Sequence, residues 1–214
     1  GDVLTDIDLT AFFDAHRARG ATASIALKRV ENPLDFGIVI TRPDGSIERF
    51  LVLDARGPDQ IDPHGLLSAQ QMDVLRREAT PDGPPLTIFT HYPALRLNAP
   101  WMDANMLIFN GEEMHQALLP ARERLRGVFY GHIHNSTQIL RDGIFYCAVA
   151  STFAGFTTWP TEEMIRADHD AMPAFNFVQL LPDQTIVQQR PFARLAGEAT
   201  RKAGEKDYSR NLED

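Results

Sequence analysis

The chain has 214 residues, 43% hydrophobic and 23% charged, with a formal net charge of −8. That length supports one domain, or one domain with an appendage, and the acidic balance argues against nucleic acid and anionic membranes as partners, since no basic patch offsets it. Cys147 is the single cysteine, so no internal disulfide can form, and it reads as a small core residue of a protein in the reducing cytoplasm. No apolar run reaches the ~20 residues of a membrane span, and no secretory pattern follows the first residue, Gly1.

Thr5–Gly20 reads as a helix capped by Asp6 or Asp8, with Leu9, Phe12 and Phe13 on one face and Gly20 as its stop. Ala21–Val30 reads as a strand. Gly37–Ala55 reads as a β-hairpin about Pro43-Asp44-Gly45, and its apolar second arm, Phe50 to Leu53, suggests a strand covered on both faces. After a loop over residues 57–64, the spacing of Leu67, Met72 and Leu75 predicts a helix to Ala79, with Ser68 as a cap. Thr80–Pro85 is a turn. Leu86–His91 is a short buried strand ending on histidine, and Pro93 blocks its continuation.

Gly111–Leu125 carries helical spacing with an interruption at Pro120, and Gly127–His134 is a second apolar strand running into histidines. Hairpins are expected at Ser136–Ala150 about Asp142-Gly143 and at Phe175–Arg190 about Pro182-Asp183. Between them Ser151–Pro173 is irregular and aromatic, suited to covering a site, and the tail from Gly197 is charged and expected to be disordered. Alternating helices and strands flanked by hairpins predict an α/β sandwich with mixed sheets.

Two of these strands end in histidine. In open α/β sheets ligands collect at the carboxyl ends of strands, so His91 and His132 can meet at one rim. His134, two residues on in an extended segment, is expected to share the face of His132. Imidazoles in that arrangement suit Zn, Mn or Fe, and metal pairs commonly clamp reacting phosphate oxygens. A lone histidine at a strand end is more often a hydrogen-bonded polar residue, but three in two matching contexts favour a metal site. His16, His64, His115 and His169 read as surface groups or neighbours of the site, and Arg122, Arg124 and Arg126 as a solvated helix end rather than a phosphate grip. Phe153, Phe156, Trp159 and Met164 read as packing first and as a nucleotide-base pocket second.

From about Leu51 to Arg194 the chain resembles the calcineurin-like metallophosphoesterases, in particular their bacterial cyclic-nucleotide phosphodiesterase branch. The resemblance lies in LVLDAR (Leu51–Arg56), GLLSAQQMDVL (Gly65–Leu75), FTHYP (Phe89–Pro93), Trp101–Asp103 with Asn110, YGHIH (Tyr130–His134) and AST (Ala150–Thr152). It implies two divalent ions (Mn, Fe or Zn) in an intact member, with His91 and His132 on one and His134 on the other. It also implies Trp101, Asp103 and Asn110 beside the substrate, and hydrolysis of a small phosphoester, a cyclic nucleotide among the candidates, by metal-bound hydroxide. The family's N-terminal half further supplies an Asp-x-His, a bridging Gly-Asp and a Gly-Asn-His. Only Gly1-Asp2 fits the Gly-Asp, which makes Asp2 the fourth candidate ligand; the Asp-x-His and Gly-Asn-His elements are expected to be missing.

Residues 1–50 instead resemble the sugar-phosphate nucleotidyltransferases after their magnesium-binding Gly-Asp, Phe36-Gly37 included, without that family's nucleotide loop. The expected organisation is a nucleotidyltransferase-like segment at 1–50 packed onto the sheet, a phosphoesterase part at 51–196 and a tail at 197–214. The expected function is a metal-dependent phosphoesterase, incomplete and weakly active. The alternatives are a non-catalytic chimeric remnant and a sugar-1-phosphate nucleotidyltransferase fragment.

Overall fold

Asp8 starts the first helix: its carboxylate accepts the Ala11 N–H at 3.0 Å, and the helix, α1 (Leu9–Arg19), ends at Gly20 in the left-handed region at φ 56°. The computed structural model describes residues 8–20, 49–56, 63–157, 159–161, 163–168, 170–181 and 183–192. Two units divide the chain, Gly1–Val39, which holds α1, and Ile40–Asp214, which holds everything that follows. The expected strand Ala21–Val30, the first arm of the Gly37–Ala55 hairpin, Asp2 and the tail lie outside the described residues.

The second unit is an α/β fold around a five-stranded, mostly parallel sheet. Strands β1 (Arg49–Leu53), β2 (Leu86–Thr90), β3 (Leu125–Tyr130) and β5 (Ile144–Ala148) run parallel in the order β1-β2-β3-β5, and β4 (Gln138–Arg141) closes one edge antiparallel to β5. Side chains alternate between the two faces. One face carries Leu53, Leu86, Ile88, Val128, Ile144 and Tyr146, all buried beneath the helices α2 (Ala69–Glu78) and α4 (Gly111–Leu118), which pack on each other. Ser68 caps α2 through the Gln71 N–H at 3.2 Å, as its sequence predicts. Between α2 and α4 stands α3 (Pro100–Asn105), begun by proline at its first turn. The helical run from Gly111 breaks at Leu119–Arg124 into a 3₁₀ helix containing Pro120, where a proline cannot donate the bond an α-helix needs.

The opposite face carries a row of phenyl rings, Phe50 to Phe89 at 5.3 Å and Phe89 to Phe129 at 5.6 Å between centroids. Near β3 and β5 it meets the ribbon of β8 (Ala174–Leu180) and β9 (Thr185–Pro191): Thr185 bonds the Arg126 carbonyl at 2.8 Å, and Asn176 the Ala148 carbonyl at 3.3 Å. Over β1 that face is bare, with Val52 73% and Phe50 42% exposed, so the expectation of a strand covered on both sides is wrong. An apolar run marks burial only where a second layer reaches it, and among the described residues the ribbon stops short of β1.

Two short strands, β6 (Gly155–Phe156) and β7 (Ala167–Asp168), order part of the otherwise irregular segment 151–173. Both expected hairpins form; Asp142 at φ 51° and Gly143 at φ 82° make the tight turn between β4 and β5. Cys147 is buried as a core residue, and that burial raises its thiol pKa. No helix among the described residues is long and apolar enough to cross a membrane.

Candidate metal centre

Strands β2 and β3 are parallel neighbours, so their carboxyl ends fall at one rim, and the chain leaves each of them through a histidine. The two ends are stitched together by the Gly131 N–H, which donates to the His91 carbonyl at 3.1 Å. That bond turns the chain. The Ile133 N–H then bonds back to the Gly131 carbonyl at 2.7 Å, which closes a three-residue γ-turn with His132 at its centre and φ 67°. His134 is also left-handed, at φ 52°. Among the described residues only four non-glycine residues have positive φ, and two of them are this pair. Such strain persists where the surroundings over-determine it: Ile133, fully buried between the histidines, pins the turn to the core.

The expectation that His132 and His134 share a face rests on extended backbone, and that premise fails, because both residues are left-handed and the chain is curled. His132 turns toward His91, with His132 Nδ1 3.2 Å from His91 Nε2. Its other nitrogen, Nε2, lies 2.6 Å from the Pro63 carbonyl. A carbonyl only accepts, so Nε2 carries the proton and Nδ1 of the neutral ring presents its lone pair toward His91. The His134 ring is stacked on Phe156 at 4.6 Å and 4°. Its Nδ1 is buried with no partner among the described residues. Burial first, and the charge of His91 second, lower the pKa of His134 and so favour the neutral ring.

His132 is thus anchored through Nε2–H on a backbone carbonyl, with the Nδ1 lone pair turned to His91. Ligating histidines commonly use a carbonyl in this way to fix tautomer and ring orientation. At a metal–nitrogen distance of about 2.0–2.1 Å, nitrogens 3.2 Å apart subtend about 100° at a shared ion, between octahedral and tetrahedral values. The donor chemistry of His91 and His132 thus fits one divalent ion. Among the described residues no three His, Cys, Asp or Glu side chains converge to hold one, and Asp2 lies outside them.

Two neighbours carry no motif that the sequence reading singles out for a role. Tyr92 packs its buried ring 4.4 Å from that of His132, and an added Cβ on Gly65 would stand 2.7 Å from the Tyr92 ring, so only glycine lets the ring sit there. His64 is buried against Phe109, one residue after the carbonyl that anchors His132, and is not a surface group. It ends Asp62-Pro63-His64, which spells Asp-x-His, as Asp14-Ala15-His16 does on α1, so the expectation that this element is missing is wrong. The signal was present at 62–64, but a loop with no flanking strand gives an isolated Asp-x-His no place in a site.

The expected substrate residues spend their polar atoms on the fold. Asp103 accepts the Leu97 N–H at 2.6 Å and pairs with Arg96 at 3.3 Å. The Asn110 amide bonds both the Leu67 N–H and carbonyl, at 3.0 and 2.9 Å. Trp101 keeps Nε1 buried without a partner among the described residues. His115 is fully buried between Tyr146 at 2.7 Å and Asp142 at 2.9 Å, which corrects its reading as a surface or neighbouring group. Arg124 bonds the carbonyls of Thr80 at 2.7 Å, Pro84 at 2.6 Å and Glu78, so it is a clamp on the end of α2 and not a solvated face.

No family model matches the chain. Among curated proteins it is similar to a 3′,5′-cyclic-nucleotide phosphodiesterase of Nostoc sp., 29% identical over 76% of this chain and 58% of that protein. A probable cyclic nucleotide phosphodiesterase of Psychrobacter arcticus is 27% identical over 62% of this chain and 45% of its own length. The 3′,5′-cyclic adenosine monophosphate phosphodiesterase of Vibrio vulnificus is 29% identical over 44% and 34%. The chain therefore spans about half the length of the curated relatives it matches. These relatives give no support to a nucleotidyltransferase origin for residues 1–50.

Proposed function

We propose that this chain carries a metal-dependent phosphodiesterase site of metallophosphoesterase type, acting on a small phosphodiester such as a cyclic nucleotide. His91 and His132 would hold one divalent ion, His134 would contribute to a second, and Asp2 is the candidate bridge between them. The observation that carries the reading is the approach of His132 Nδ1 to 3.2 Å from His91 Nε2, with the other nitrogen of His132 anchored on the Pro63 carbonyl. The named activity of the relatives gives the reaction class.

When bound, a divalent ion supplies Lewis acidity toward phosphoryl oxygens. The chain's own groups do the rest. The Pro63 carbonyl fixes the His132 imidazole, the Tyr92 ring packs beside it, and the Phe156 ring stacks on His134. Of the three residues expected beside the substrate, Trp101 retains an unspent donor, whereas Asp103 and Asn110 shape the rim by holding Leu97 and Leu67.

The test is hydrolysis of bis(4-nitrophenyl) phosphate by the manganese-loaded chain. Turnover is expected to fall about 10- to 100-fold in His132→Ala, and turnover that survives the change unaltered overturns the reading. A competing reading, metal or ligand binding without turnover, is favoured by the lack of a three-ligand cluster among the described residues. Stoichiometric metal with no hydrolysis would establish it.

A further inference from the structure

We propose that Phe156 is a positioning residue for His134, its ring fixing the plane in which that imidazole is offered to an ion; this rests on the phosphodiesterase reading and assigns what orients the third histidine. His132 takes its orientation from a hydrogen bond, with Nε2 2.6 Å from the Pro63 carbonyl. His134 has no such bond at Nδ1 among the described residues. The torsion that turns an imidazole about its Cβ–Cγ bond is broad and selects no plane by itself, so the plane must come from a neighbour. The Phe156 ring supplies it: its centroid lies 4.6 Å from that of His134, with the two planes 4° apart. The face of Phe156 that meets His134 is therefore not open to a nucleotide base.

One ring can orient another only if it is itself held. The Phe156 carbonyl accepts Asn135 Nδ2 at 3.1 Å, which ties it to the residue that follows His134. On the other side Gly155 and Phe156 pair with Asp168 and Ala167, and the Thr157 N–H bonds the Arg166 carbonyl at 3.0 Å. The Asp168 carboxylate accepts the N–H groups of Asp170 and Ala171, at 3.0 and 3.1 Å, and so fixes Ala171 beside Gly155. A Cβ added at Gly155 would stand 2.3 Å from the Ala171 Cβ, closer than two such atoms can come. Glycine at 155 is thus required by space. Any side chain there drives the short strand off Ala171 and carries Phe156 with it.

The experiment reads His134 directly. In the metal-free full chain its carbon-bound ring protons are expected upfield in the NMR spectrum, under the ring current of Phe156. They should move downfield in Phe156→Leu and stay in place in Phe156→Tyr, which keeps a ring. Gly155→Ala should move them the same way although it alters neither ring, and Ala171→Gly added to Gly155→Ala should bring them back. Manganese binding, by calorimetry, should weaken about 10- to 100-fold in Phe156→Leu and Gly155→Ala and be wild-type in Phe156→Tyr and the double variant. A merely structural role would lower the urea midpoint without moving the His134 protons. The proposal is overturned if those protons ignore Phe156→Leu, if the double variant leaves them displaced, if Phe156→Leu binds manganese as the wild type does, or if the wild type binds none. Hydrolysis of bis(4-nitrophenyl) phosphate is scored separately. Hydrolysis with a manganese affinity indifferent to Phe156 rejects the positioning role and keeps the phosphodiesterase reading; an affinity that depends on Phe156, without hydrolysis, does the reverse.

Discussion

His132 shows how far a side chain's position depends on its own backbone. In extended chain it would point with His134; at φ 67° in a γ-turn it points at His91. The left-handed region costs a non-glycine residue roughly 1–2 kcal/mol, a cost glycine escapes. His132→Gly should therefore be more stable than His132→Ala by about 1 kcal/mol in urea unfolding, though both lose the bond to Pro63. Equal midpoints would mean that the turn is unstrained. His134 predicts a pH effect. Its folded-state pKa is lowered, by burial first and by His91 second. The unfolded chain then binds more protons than the folded one as pH falls below the ordinary imidazole value of about 6.5. The stability tied to the neutral ring is thus complete above that value and is lost below it. In chelator-treated protein, the wild-type urea midpoint should fall more steeply from pH 7.5 to 5 than that of His134→Phe. Parallel curves would remove burial of the neutral ring as the cause.

At the scale of elements, much was legible because local chemistry agrees with tertiary demand. Asp8 and Gly20 bracket α1, Ser68 caps α2, Pro120 ends the α-helical run, and Asp142-Gly143 turns a hairpin, each through bonds within a few residues. The long-range ties were not legible. Nothing near Arg124 marks it as the clamp of a helix end some 40 residues earlier, and nothing near His115 marks Asp142 and Tyr146 as its partners. The strand ends at His91 and His132 could be read, since an apolar run stopping on histidine is local; the turn through His132 depends on a bond to the end of the neighbouring strand and could not. Lysine lacks the fork that reaches three carbonyls, so Arg124→Lys should lower stability by about 2 kcal/mol in denaturant unfolding without changing metal binding. Glu112 and Arg141 join α4 to the same hairpin through two bonds, at 2.7 and 2.8 Å. The Arg141 bonds, with help from Gln116, hold the Glu112 carboxyl at about 2, against an ordinary 4.5. A lowered carboxylate pKa stabilises the fold above 4.5 and ceases to as pH falls toward 2. The stability gap between wild type and Glu112→Gln should therefore narrow across that range, and a constant gap would show that the pair contributes nothing through its charge.

Across the second unit, the site joins two strand ends to the loop ahead of α2. His91 leaves β2, His132 leaves β3, and the Pro63 carbonyl that fixes His132 precedes α2. An ion shared by His91 and His132 binds the folded chain and not the unfolded one, so it must raise the unfolding free energy as RT ln(1 + [L]/Kd), about 2.7 kcal/mol at a hundredfold excess over Kd. Two imidazoles alone make a weak site, and further ligands lower the Kd at which the rise begins. A manganese or zinc titration of the thermal midpoint thus reads ligand number without relying on turnover. A rise beginning only near millimolar metal is expected if His91 and His132 act alone, and one beginning at micromolar metal if further ligands, Asp2 among them, complete the centre. In either case the rise should vanish in His91→Ala and shrink in Asp2→Asn only where Asp2 takes part. A wild-type midpoint that ignores metal at every concentration would remove the ion from the site and leave the paired histidines as a hydrogen-bonded clasp between two strand ends.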